Sequence, residues 1–324
     1  MIQVRNLTKT YRVAKRSAGF GNAVRAFFAR EYETVHALTD VDFEIRDGEA
    51  VGYIGPNGAG KSTTIKIMCG VLTPDGGECV VNGRVPWKER IPHAREIGVV
   101  FGQRSQLWWD VPVADSFELI RDIYKIEGAL YARNRAELTA LLDLTALLKT
   151  PARHRSLGQR MRCEFAASLL HGPKVLFLDE PTIGLDAVSK IAVRAFIKRL
   201  NAQRGTAVLL TTHDMQDIEA LAGRILLIGK GRILLDGTMD ALKRHASARK
   251  TLVVEYRGPA PELRPGMEIT ESREGRMVIS LDPAALPVSD AIIALASKAE
   301  LTDVSVSDIS AEEMVAALYR EYRI

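Results

Sequence analysis

Cysteine is scarce in this 324-residue chain: Cys69, Cys79 and Cys163 are scattered and odd in number. That excludes a disulfide scaffold, and their separations do not match the paired spacing of a zinc site. They fit small buried hydrophobes in a reducing cytosol. Long apolar runs are also missing. The strongest, Val175–Leu178, Ala207–Leu210 and Ile225–Ile228, fall far short of the roughly 18 residues a membrane-spanning helix needs, and they read as buried strands. Met1–Arg5 lacks the apolar stretch of a signal peptide. There is no low-complexity tract and no internal repeat. Nor is there a strong charge of one sign: 44 Lys and Arg against 40 Asp and Glu leave +4, too little to imply nucleic acid by itself. An apolar content of 47% and a charged content of 26% exclude disordered and collagen-like classes.

The charge is unevenly divided. From Ala246 onward, 9 basic and 13 acidic residues give −4, so the preceding chain carries +8. The sign change marks a boundary, with one domain over residues 1–245 and a smaller one over 246–324. Arg12, Lys15, Arg16, Arg25 and Arg30 fall in a basic insertion over about 12–34, with no acid before Glu31. Phe27 and Phe28 sit among these charges. Two readings fit: an amphipathic element touching anionic lipid or a membrane partner, or a solvated loop with its phenylalanines packed on the domain.

Patterning predicts an α/β fold. Strands are expected over Ile2–Asn6, Val41–Ile45, Ala50–Ile54, Ile97–Phe101, Val175–Leu178 and Ala207–Thr211. Helical spacing covers Lys61–Cys69, Val113–Ile126, Asn134–Leu148, a stretch from Ser156, Val188–Leu200 and Met215–Leu221. The alternation of strand and helix argues for a parallel sheet flanked by helices. The tail reads as a small α+β unit. Its strands are Thr251–Tyr256, Arg276–Leu281 and Asp303–Val306, and its helices are Val288–Lys298 and Ala311–Tyr322. It holds no phosphate loop, metal spacing or nucleophile constellation.

The most specific motif is Gly55-Pro56-Asn57-Gly58-Ala59-Gly60-Lys61-Ser62, which satisfies G-x-x-x-x-G-K-[ST] between a strand and a helix. Its glycines let backbone N–H groups close around phosphate oxygens without Cβ clashes. The helix start adds its positive end. Lys61 supplies a point charge for the β- and γ-phosphates, Ser62 a hydroxyl for Mg²⁺, and Thr63 reaches the α-phosphate side. A second motif is the Val175–Leu178 run followed by Asp179 and Glu180. The strand delivers both acids to its C-terminal end, where open α/β sheets bind ligands. Asp179 suits Mg²⁺. Strand alternation turns Glu180 to the other face, where it can polarise an attacking water.

With further motifs in order, residues 1–242 resemble the ATP-binding subunit of ABC transporters. Phe101-Gly102-Gln103 resembles the Q-loop and Ser156-Leu157-Gly158-Gln159-Arg160 the signature. Gly184-Leu185-Asp186-Ala187 resembles the D-loop and Thr211-Thr212-His213-Asp214 the switch histidine. Tyr11 stands where the family stacks an aromatic on adenine, or it packs plainly. The resemblance implies a P-loop NTPase domain with a helical signature subdomain over about 104–172. It implies ATP and Mg²⁺ as cofactors and a head-to-tail dimer of two copies. Each ATP would lie between one copy's phosphate loop and the other's Ser156, Gly158 and Gln159. Gln103 would sense Mg²⁺ and water, His213 would contact the γ-phosphate, and Asp186 would couple the sites. Integral membrane permease subunits are implied as partners, with the chain peripheral on the cytoplasmic face of the inner membrane. The tail resembles the accessory domain of export-type members. The signature departs from LSGGQ, since Arg155 and Leu157 replace its leading Leu and first Gly. Trp108 and Trp109, just past Gln103, fit either an anchor for a membrane subunit or core packing. Rival readings are a soluble ABC ATPase acting on nucleic acid or the ribosome, and a module that uses ATP only as a switch. The single phosphate loop, and the short span from Gln103 to Ser156, weigh against the first. Glu180 and His213 weigh against the second.

Overall fold

A computed structural model of the chain describes residues 1–14, 32–102, 104–212, 214–245, 249–308, 313–315 and 318–319. Gln103, His213, residues 15–31 of the basic insertion and most of the final expected helix lie outside the described residues. The chain divides into two compact units, Met1–Asp236 and Gly237–Ile324.

The first unit runs β1 (Ile2–Ala14), β2 (Tyr32–Ile45), β3 (Ala50–Ile54), α1 (Lys61–Met68), β4 (Gly76–Val81), α2 (Arg90–Ala94) and β5 (Ile97–Phe101). It continues through α3 (Val113–Tyr124), α4 (Gly128–Leu141), α5 (Leu157–Leu169), β6 (Val175–Asp179), α6 (Ala187–Arg204), β7 (Ala207–Thr211), α7 (Met215–Leu221), β8 (Arg224–Gly229) and β9 (Arg232–Gly237). One sheet has the order β5-β6-β7-β3-β8-β9. Its β5/β6, β6/β7, β7/β3 and β3/β8 pairs are parallel. The three short apolar runs are β6, β7 and β8, buried along their length because helices and the second sheet cover both faces.

That second sheet, β2-β1-β4, is antiparallel. Val41, Phe43 and Ile45 point inward while Asp42 and Glu44 stay exposed, as the alternation requires. Ile2, Val4 and Leu7 of this sheet join one core with Ile65, Ile67 and Met68 of α1 and with Val51, Tyr53 and Phe177 of the parallel sheet. The phosphate-loop helix is thereby locked between two sheets.

Several expectations are corrected. β1 runs past Asn6 to Ala14, and β2 starts at Tyr32, so the two ends of the basic insertion are paired strand, with Arg12 opposite Thr34. α4 begins at Gly128 and ends at Leu141, not over Asn134–Leu148. Glu127 caps its start by accepting from the N–H groups of Ala129 and Leu130. Leu142, Leu144 and Leu147 are buried in the turn that follows, so the apolar spacing outlasts the helix. Trp108 and Trp109 are 42% and 49% exposed, which removes the core-packing reading. The thiols of Cys79 and Cys163 are buried, and burial pushes both up to about 12. Among the described residues, no cluster of three or more His, Cys, Asp and Glu side chains is placed to hold a metal ion.

The second unit comprises α8 (Met239–His245), β10 (Lys250–Arg257), β11 (Met267–Arg273), β12 (Arg276–Leu281), α9 (Val288–Ala296) and β13 (Glu300–Asp308). Its antiparallel sheet has the order β11-β12-β10-β13. Leu252, Val254, Met277 and Ile279 pack with Ala291 and Leu295 of α9 in a separate core. β11 escaped the sequence reading because it is an edge strand with little burial and no apolar alternation. No helix among the described residues is long and apolar enough to cross a membrane.

Candidate functional site

The site starts where β3 ends. The chain leaves the sheet at Ile54, crosses Gly55–Gly60 and enters α1 at Lys61. Gly60 has φ +111°, and a Cβ there would stand 2.6 Å from the Ala37 carbonyl, so only glycine fits. No side chain caps α1 and no acid occupies its first turn. Its positive end is thus left for an anion. Lys61 is only 8% exposed, and its ammonium donates to the carbonyls of Gly55 at 2.5 Å and Pro56 at 3.1 Å. Burial lowers its pKa, while Glu180 and Asp179 pull it back up.

Both carboxylates arrive at the end of β6, which β7 separates from β3. Asp179 ends β6, and its Oδ1 accepts from the Thr211 hydroxyl of β7 at 2.6 Å. The expectation that strand alternation orients Glu180 is corrected. Glu180 lies beyond the strand with φ +54°, and a left-handed turn aims it. Its N–H donates to Thr211 O at 2.9 Å. Gly102 clamps the same turn: its N–H donates to Asp179 O at 2.8 Å. A Cβ on Gly102 would stand 2.2 Å from Glu180 O.

A cleft of about 760 Å³ opens between these parts, lined by Gly55, Asn57, Ser62, Asp179 and Glu180 among others. Five residues expected at the site therefore meet there. Lys61 lies beneath the loop, and Gly58, Ala59, Gly60 and Thr63 complete the loop and the helix start without lining the cleft. Lys66 and Arg104 also line it. Sequence reasoning passed over both, although Arg104 is two residues from a lining glycine. The donor set facing the cleft, a hydroxyl and carboxylates, is the hard-oxygen chemistry that suits Mg²⁺.

Other expected residues do not line the cleft. Tyr11 sits on β1 opposite Val35, with the Lys9 ammonium 5.8 Å over its ring. Ser156 caps α5: its Oγ accepts from the Gln159 N–H and its own N–H donates to Gln159 Oε1, both at 3.2 Å. Gly158 packs on α6 so closely that a Cβ would stand 2.3 Å from Ser189 Oγ. Leu157, the departure from the usual signature, is in contact with the chain around Gly184. Asp186 caps α6, and hydrogen bonds from the Ser189 backbone and hydroxyl hold its carboxyl below the usual range.

A buried network behind the cleft was also missed. Asp217 on α7 is fully buried and accepts from Arg194 Nε at 2.5 Å, from the Thr212 hydroxyl at 3.2 Å and from the Thr182 hydroxyl. Asp214 accepts from Lys190 Nζ at 2.6 Å. The paired spacings Lys190/Arg194 on α6 and Asp214/Asp217 at the start of α7 were the available signal. This network pins α7, and so the chain beside position 213, to α6. Arg194→Ala leaves the Asp217 carboxylate buried without its cation, which costs about 3–5 kcal/mol. A fall in Tm of the order of 10 °C is expected for a unit of this size, read by calorimetry; an unchanged Tm would contradict the pairing.

Comparison with known proteins fits this geometry. The family model described as "ABC transporter" matches residues 38–183. The daunorubicin resistance ATP-binding protein DrrA3 of Streptomyces coeruleorubidus is 34% identical over 271 residues, covering 82% of this chain and 83% of that protein. A probable sulfate/thiosulfate import ATP-binding protein, CysA of Chlorella vulgaris, is 31% identical over 71% of this chain and 96% of that protein. A dimeric ATP-binding cassette solved in a post-hydrolysis state with ADP and phosphate superposes with a TM-score of 0.61. It covers 74% of this chain and 99% of its own, at 24% identity, and so establishes a shared cassette fold.

Proposed function

Because the chain belongs to the family of ABC transporter ATP-binding proteins, we propose that it is the ATP-hydrolysing motor of an exporter, working through separate membrane permease subunits. The observation that carries this reading is the cleft itself, where the phosphate loop faces Asp179 and Glu180 across a space lined by Ser62. Phosphoryl transfer to water needs positioning and charge neutralisation more than covalent chemistry. Loop N–H groups, Lys61 and the α1 terminus hold the polyphosphate, with Thr63 on its α side. Ser62 and Asp179, with Gln103, would hold Mg²⁺, which neutralises phosphate charge when bound. Glu180 orients and deprotonates the attacking water, with His213 on the γ-phosphate and Tyr11 against adenine.

The same cleft supports a dimer. Ser156, Gly158 and Gln159 do not line it, which fits a signature that meets nucleotide on a second copy. Head-to-tail association supplies it, and Asp186 would couple the two sites. Export is the proposed direction, on the strength of the resistance-named relative, which covers 82% of this chain against 71% for the import-named one. The chain is then peripheral at the cytoplasmic face of the inner membrane. Purified full-length chain is expected to turn over ATP in a Mg²⁺-dependent, saturable manner. A tagged copy should bring down integral membrane proteins from detergent-solubilised membranes. Recovery of nucleic acid or ribosomes alone, with no membrane protein, would overturn the transporter reading.

A further inference from the structure

Glu164 is a buried carboxylate with no part in the chemistry described so far. It lies on α5, eight residues beyond Ser156, and is 4% exposed. Its bonds all reach one short segment. Oε1 accepts from the Ser105 hydroxyl, and Oε2 accepts from the Gln106 N–H at 3.1 Å. The Gln106 side-chain amide donates to Glu164 O at 3.3 Å and lies 3.4 Å from Val99 O on β5. The Leu107 N–H donates in turn to Ser105 Oγ at 3.2 Å. Ser105 and Gln106 are thus fastened to Glu164 on α5, and Leu107 to Ser105.

That segment has a particular place. It follows directly on Phe101, Gly102 and Arg104, which form one wall of the cleft. It leads into the exposed pair Trp108 and Trp109, and Arg160 of α5 covers the Trp109 ring at 5.4 Å. Burial pushes the Glu164 carboxyl above its usual range, against the pull of those hydrogen bonds and of Arg160. A neutral side chain could fill the same space without that desolvation cost. What a carboxylate adds is strong, directional acceptance at two oxygens.

We propose that Glu164 is a positioning residue that ties the signature helix to the wall of the catalytic cleft. This rests on the functional reading above. Ser156 and Glu164 lie about 12 Å apart along a rigid helix, at 1.5 Å per residue. When Ser156 engages nucleotide on the second copy, α5 shifts as a rod. The Glu164 clasp carries residues 105–107 with it and moves Phe101, Gly102 and Arg104 against Asp179 and Glu180.

The test uses the full chain and steady-state ATP turnover. Glu164→Ala is expected to lower kcat about tenfold while KM for ATP changes less than about twofold, the signature of lost positioning. Glu164→Gln keeps an oxygen for the Gln106 N–H and offers its amide to Ser105, so it should restore at least half of kcat. Trp87 packs in the core, so in a Trp87→Phe background the remaining tryptophans report on the segment. MgATP should shift their emission in the parent and not in Glu164→Ala. Wild-type kcat and a retained emission shift in folded Glu164→Ala would overturn the inference. If Glu164→Ala does not fold, Ser105→Ala decides. It should lower kcat about threefold and damp the emission shift, and a wild-type response in both would overturn the clasp. A wild-type chain that turns over no ATP would overturn the functional reading, and this inference with it.

Discussion

Lys61→Ala is expected to weaken ATP binding by two to three orders of magnitude, about 3–4 kcal/mol in the range typical of a preorganised charge lost from such a site. The size follows from where the ammonium sits. It is 8% exposed, fastened to the Gly55 and Pro56 carbonyls, and near Asp179 and Glu180. Removing it takes away the cation for the phosphates and leaves two carboxylates to repel them. Titration calorimetry with a non-hydrolysed ATP analogue measures the loss, and an affinity close to that of the parent chain would contradict the assignment. The same residue sets a pH dependence. Burial lowers the Lys61 pKa in the free chain, and a bound polyphosphate raises it again. Binding therefore takes up a proton at alkaline pH. Affinity is full below the free-chain pKa and falls as pH rises through it.

Glu180→Gln is expected to reduce kcat by a factor of about 10²–10⁴, the range for loss of a general base, with nucleotide affinity kept. Glutamine is nearly isosteric and adopts the same left-handed backbone as readily as glutamate. The Glu180 N–H bond to Thr211 O and the Gly102 clamp do not depend on the side chain. The variant should thus retain the shape of the cleft and lose only the proton acceptor. Phosphate release measures turnover, and sedimentation with MgATP should detect a longer-lived dimer because the nucleotide holding it is no longer consumed. Wild-type turnover would show that another group takes the proton.

The two variants differ in how far each could be foreseen. Lys61 was legible because the glycine spacing, the preceding strand and the following helix all lie within one short stretch. Position 180 was legible as chemistry but not as geometry. Strand alternation aimed it wrongly, because β6 ends at Asp179 and the backbone turns left-handed immediately afterwards. Leu142, Leu144 and Leu147 misled in a related way, since burial in a turn mimics helical spacing.

The sequence alone determined what is encoded contiguously. That covers the anion-binding loop, the strand with its two terminal acids, the central strands as apolar runs, and the helix that starts from Ser156. Backbone preferences and hydrophobic periodicity act over a few residues, so these features need no distant partner. Only the tertiary structure decided who faces whom. Glu164 finds Ser105 and Gln106 across 59 and 58 positions, and Arg194 finds Asp217 across 23. Gly158 fits against Ser189 of another helix. A charge or a small side chain carries no address. Its partner is chosen by which helices the two sheets bring together, and by the cost of burying a polar group until it is paired.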